Sequence, residues 1–119
     1  MQNRVDQSKI LKFQAEDELE SAKRSIRENI VVTWNNFQTL SSMLTAREAQ
    51  LQASKIAYEG VKLEEMVGSR TVLDVLEANQ DVRDAELVVV DVKRDRVNAY
   101  YNLLQAMGVF QPLLTQAQN

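Results

Sequence analysis

The feature that most constrains this chain is where its helix breakers are. Residues 1–59 contain neither glycine nor proline, and neither do residues 72–107. Between these tracts stand Gly60 and the run Val67-Gly68-Ser69-Arg70-Thr71, and beyond them Gly108 and Pro112. Glycine and proline are the strongest local punctuators of regular structure, so two long uninterrupted tracts joined by one glycine turn read as two helices folded back on each other. The fold class expected is all-α: a long antiparallel α-helical hairpin or coiled coil. Its helices span about residues 5–66 and 72–107, with a turn over 67–71. Residues 1–4 are expected to fray. Gly108 is expected to end the second helix and Pro112 to prevent its resumption, leaving 109–119 as a loose tail. The 119 residues then form a single unit.

The apolar pattern supports this reading. Ile30, Phe37, Leu44, Leu51 and Tyr58 recur every seven residues, and Leu19, Ala22, Ile26, Ile30, Trp34 and Phe37 follow a spacing of three and four. A sustained seven-residue repeat implies packing along a partner with a left-handed supercoil. The second helix carries two such stripes. One is small (Ala78, Ala85, Val92, Ala99, Ala106), and one is larger (Leu76, Val90, Val97, Leu104, interrupted by Arg83). Two stripes imply two packing neighbours, either in a four-helix bundle of paired hairpins or in a wall of helices. Gly68 suits the left-handed conformation that ends a helix. Thr71 suits the N-cap of the next helix, with Asp74 three residues on completing a variant capping box; Ser69 is the alternative cap.

Composition narrows the function. With no cysteine and no histidine, disulfides, thiolate zinc sites and His-dependent catalysis are excluded. Fourteen basic residues are interspersed with 17 acidic ones for a net charge of -3, which does not point to nucleic acid. No apolar run approaches the ~20 residues of a membrane-spanning helix. Residues 1–9 lack the apolar core of a leader peptide. Asp74 and Glu77 share a helical face, and Glu64 and Glu65 are adjacent, but a single hairpin supplies neither a cleft nor further ligands. No enzyme, metal or cofactor is therefore expected. If several hairpins stood in a ring with Asp74 and Glu77 facing its axis, like charges would accumulate at one level of a pore, attracting cations and raising the carboxylate pKa values. If not, Asp74 is a cap, Glu77 decorates a solvated face and Arg70 is a turn residue.

The run V-G-S-R-T-V-L-D-V-L-E-A-N-Q-D-V at 67–82 and Y-N-L-L-Q-A-M-G at 101–108, with A-S-K-I-A-Y-E-G at 53–60, resembles the TolC family of outer-membrane efflux proteins, in the second of its two internal repeats. The resemblance covers roughly residues 5–108. It implies the periplasmic tunnel-entrance segment of a homotrimeric efflux or type I secretion duct, periplasmic in location though part of an outer-membrane protein. Its implied partners are a periplasmic adaptor (membrane fusion) protein and an inner-membrane transporter. By position, Val67, Gly68 and Ser69 correspond to the tip that docks the adaptor, and Arg70 to an entrance arginine that helps hold the tunnel shut. Glu65 stands where some relatives have a tyrosine that aids closure, and Asp74 and Glu77 stand where some have acidic rings in the lumen. The strand segments of a membrane barrel are absent, so the chain reads as an excised hairpin whose apolar stripes drive association. The competing reading is a coiled-coil interaction module, either an adaptor hairpin or a scaffold.

Overall fold

The computed structural model describes the backbone of residues 2–118 and the side chains of residues 3–108. Two helices account for nearly all of it: α1 (Gln2–Met66) and α2 (Val72–Gln118). No strand occurs among the described residues. The chain is an all-α helical hairpin, as the breaker pattern implies. Gly60 lies within α1, where a single glycine costs only about 1 kcal/mol against alanine and one long helix absorbs it.

Two boundaries differ from expectation. Helix α1 begins at Gln2 rather than near residue 5, because nothing in its first residues breaks a helix. Helix α2 runs to Gln118 rather than stopping at 107, so the backbone of 109–118 is helical and not a loose tail. Gly108 does not act as a stop because it does not enter the left-handed region; Gly68 alone has a positive φ among the described residues. Pro112 removes the N–H that would have bonded to the carbonyl of residue 108.

The chain divides into two compact units. One comprises residues 36–100, and the other residues 1–35 with 101–119. In the first unit, Val82, Val89, Val92 and Ala99 of α2 are buried, with Val75, Ala78, Ala85 and Arg96 half-buried between them. Their numbers follow an unbroken alternation of three and four, the seam of a coiled coil. Facing positions on α1 repeat likewise, with Phe37, Leu44, Leu51, Tyr58 and Glu65 half-buried at intervals of seven. In the second unit Leu103 and Ala106 are buried, and Ile26, Ile30 and Thr33 are half-buried. Residues 3–22 of α1 are exposed throughout. Of the three-and-four apolar spacing in α1, Leu19 and Ala22 fall in this exposed stretch, and Trp34 is exposed as well, while Ile26, Ile30 and Phe37 are half-buried.

Packing also separates the two α2 stripes. The small one lies in the seam, with Val92, Ala99 and Ala106 buried and Ala78 and Ala85 half-buried. The larger one, Leu76, Val90, Val97 and Leu104, is exposed. Small residues permit close approach of two helix backbones, and the facing α1 positions supply the bulk. A polar contact on the seam joins the helices: Arg96 Nε donates to Ser41 Oγ at 2.9 Å, and its guanidinium lies 5.2 Å from the centre of the Phe37 ring. Phe37 in turn meets Tyr100 with ring centroids 5.9 Å apart.

Candidate functional site: the capped turn at residues 64–77

The hairpin turn is closed by three overlapping devices. Ser69 N–H donates to the Glu64 carbonyl at 2.8 Å, and Gly68 N–H donates to the Glu65 carbonyl at 3.0 Å. With Gly68 at φ 84°, this is the paired-bond ending in which a left-handed residue satisfies the last carbonyls of a helix. On the other side Thr71 is the N-cap. Its Oγ1 accepts from Asp74 N–H at 3.2 Å, while Asp74 Oδ2 accepts from Thr71 N–H at 3.1 Å. This reciprocal pair is the capping box, with aspartate in place of the usual glutamate. It settles the choice between Thr71 and Ser69 that the sequence left open. Ser69 instead gives its N–H to the end of α1.

The third device is an ion pair. Arg70 Nε lies 2.7 Å from Glu64 Oε2, with both side chains about half exposed (50% and 49%). Helix α1 has no basic residue in its last turn, so Arg70 supplies a cation from beyond the helix end, where the macrodipole is negative. Glu64 holds the Arg70 pKa above its ordinary value, first through the hydrogen bond and then through charge, with a smaller contribution from Asp74. The Asp74 pKa is lowered from 3.8, chiefly by the Thr71 backbone N–H and then by its hydroxyl. Within one hairpin the cap thus keeps Asp74 ionised.

The remaining candidates fall around this turn. Val67 is 79% exposed and Met66 77%, so apolar side chains project at the apex. Glu65 is half-buried on the seam face, where its side chain makes no hydrogen bond or ion pair among the described residues. Arg70 is joined to Glu64, not to Glu65. Glu77 is exposed, one turn beyond Asp74. The structure gathers Glu64, Arg70, Thr71 and Asp74 into one polar cluster and leaves Glu65 and Glu77 outside it.

Nothing in the linear sequence marks Glu64 for this role. It lies six positions before Arg70, a spacing with no meaning on a straight helix and a short one once the turn folds back. Asp81 and Asp84, by contrast, are legible in the pattern, extending Asp74 and Glu77 by steps of four and three along one face of α2. These two line a shallow groove with Arg47, Gln50 and Ser54, and Gln80 Nε2 donates to Asp84 Oδ1 at 2.9 Å. That signal was present in the spacing. No group of three or more possible metal-ligating residues occurs among the described residues, and no described helix is long and apolar enough to cross a membrane.

Comparison with known proteins places this hairpin. The profile of the outer membrane efflux protein family matches residues 1–109. The chain is 33% identical over 104 residues to outer membrane efflux protein BepC of Brucella suis, covering 87% of this chain and 23% of that protein. It is 31% identical over 94 residues to outer membrane protein TolC of Vibrio cholerae, covering 79% of this chain and 22% of that protein. With TolC of Escherichia coli the identity is 29% over 90 residues, covering 76% and 17%. No solved structure matches the chain. The chain spans less than a quarter of the length of these relatives. A hairpin of this pattern, matched from its first residue to just past Gly108, belongs to the outer membrane efflux protein family.

Proposed function

We propose that this hairpin is a periplasmic tunnel-entrance segment of a trimeric outer-membrane efflux or type I secretion duct. It works by position rather than by catalysis. The tip at Val67, Gly68 and Ser69 docks a periplasmic adaptor (membrane fusion) protein, which couples the duct to an inner-membrane transporter. Arg70 and Glu65 take part in the contacts that keep the entrance closed. Asp74 and Glu77 form two acidic levels in the lumen.

The observation that carries this reading is the family match over residues 1–109 in a chain whose turn is both exposed and doubly capped. A docking tip needs a fixed backbone to present its side chains, and here the Glu64 and Glu65 carbonyls of α1 and the Thr71 and Asp74 N–H groups at the start of α2 are bonded within the turn itself. The exposed Val67 and Met66 supply apolar contact area at the apex. The Asp74 carboxylate, held in its charged form by Thr71, suits a cation-attracting ring, because the cap opposes the upward shift that neighbouring carboxylates would impose. The exposed larger stripe of α2 leaves a second face for a neighbouring helix.

The test is single-channel recording of the full-length parent carrying Asp74→Asn and Glu77→Gln. Block by multivalent cations should weaken by at least about tenfold, as expected when a ring of like charges in a narrow pore is neutralised. Unchanged block removes the acidic-ring role.

A further inference from the structure

The Arg70 guanidinium is tied to its own hairpin through one nitrogen only. Nε donates to Glu64 Oε2 at 2.7 Å, and the terminal nitrogens make no hydrogen bond or ion pair among the described residues. A guanidinium has five N–H donors in a rigid planar fork, so fixing Nε orients the plane and leaves four donors to bind elsewhere. Glu64 is itself fixed at the backbone, since its carbonyl accepts the Ser69 N–H at 2.8 Å in the helix-ending turn. The same short turn therefore holds both Glu64 and the base of the Arg70 side chain. Asp74 adds a weaker charge attraction, but its Oδ2 is occupied by the Thr71 N–H.

We propose that Glu64 is a positioning residue for Arg70. It holds the guanidinium so that the free terminal fork points away from the hairpin, ready for a carbonyl or carboxylate acceptor on an adjacent hairpin. The proposal rests on the entrance reading of Arg70 and adds to it the group that orients the arginine. Its physical basis is preorganisation. An arginine already restrained at Nε loses less side-chain freedom when its fork engages a second acceptor than one free in solvent. A pure competitor would engage the fork itself and take donors away; Glu64 engages Nε and leaves the fork open.

Two readouts test this. In the 119-residue chain, NMR of the Arg70 side chain should show Hε protected and shifted by its hydrogen bond. Glu64→Gln should speed Hε exchange by about two- to fivefold, the range of an exposed charge pair, and Glu64→Asp should recover part of the protection. In the full-length channel, Glu64→Gln should raise resting conductance by about two- to fivefold, in the same direction as Arg70→Ala but less, and should add nothing in the Arg70→Ala background. Lower conductance in Glu64→Gln would overturn the proposal, because Glu64 would then compete with the closing contacts. Unchanged conductance in Glu64→Gln beside an opened Arg70→Ala channel would overturn it as well. Unchanged conductance in Arg70→Ala overturns the entrance reading and the gating role of Glu64 with it. The Hε readout separates that case, because it reports the hold of Glu64 on Arg70 whatever the channel does.

Discussion

Two glycines in this chain should respond to the same substitution with opposite signs. A Cβ added at Gly60 or at Gly68 would meet no atom within 4 Å, so neither site is sterically crowded. Backbone conformation alone separates them. Gly60 sits in α1 with helical geometry, and Gly60→Ala should stabilise the hairpin by about 1 kcal/mol, the difference in helix propensity. Gly68 has φ 84°, where an L-residue with a Cβ is strained by about 1–2 kcal/mol. Alanine also narrows the unfolded ensemble, which returns about 0.7 kcal/mol, so Gly68→Ala should destabilise by about 1 kcal/mol net. The two variants then differ by about 2 kcal/mol, or roughly 8 °C in melting temperature for a chain of this size. Thermal melts followed by far-UV circular dichroism would show this, run at one protein concentration because association raises Tm. Gly68→Asn should fall between wild type and Gly68→Ala, since asparagine tolerates the left-handed region better than alanine. A Gly68→Ala variant as stable as wild type would refute the reasoning, because the turn would then not depend on its left-handed residue.

Two further perturbations probe the cap and the seam. Thr71→Ala removes the hydroxyl that accepts the Asp74 N–H and should cost about 1 kcal/mol of stability, measured by denaturant titration. The Asp74 pKa is lowered on folding, so its contribution is fully present above the ordinary value of 3.8 and fades as pH falls through the lower folded value. The gap in Tm between wild type and Asp74→Asn should therefore hold at neutral pH and close in strong acid; a gap independent of pH would count against the cap. Arg96→Ala should cost about 1–2 kcal/mol through loss of the Ser41 bond and the Phe37 stacking. Arg96→Lys should recover only part of it, since an ammonium lacks the planar face, and full recovery in the melt would show that charge alone matters.

Much of this molecule can be read from local pattern. Helix length follows from tracts free of breakers, and the turn from Gly68. The cap is narrowed to Thr71, three positions before a carboxylate, or Ser69, because each of these effects acts within a few residues of chain. Breakers are not absolute stops. Gly108 and Pro112 lie inside α2: Gly108 does not take the left-handed conformation, and Pro112 removes one backbone hydrogen bond without ending the helix. The family resemblance was legible for a different reason: the order of the turn, the acidic pair and the closing leucine-rich run is carried by the chain directly.

Contacts between residues far apart in the chain, or brought together by the turn, could not be read in this way. Both stripes of α2 have seven-residue spacing, and only packing shows that the small one faces α1 while Leu76, Val90, Val97 and Leu104 remain exposed. Arg96 and Ser41 are 55 residues apart in sequence, and no local rule pairs them. Glu64 and Arg70 meet only because the turn reverses the chain between them. What the sequence determined by itself is therefore local: two helices and the turn that joins them, with the cap narrowed to Thr71 or Ser69. Which helix faces are buried, and which charges meet, depended on the tertiary fold, because those interactions exist only after distant segments are brought within a few ångströms of each other.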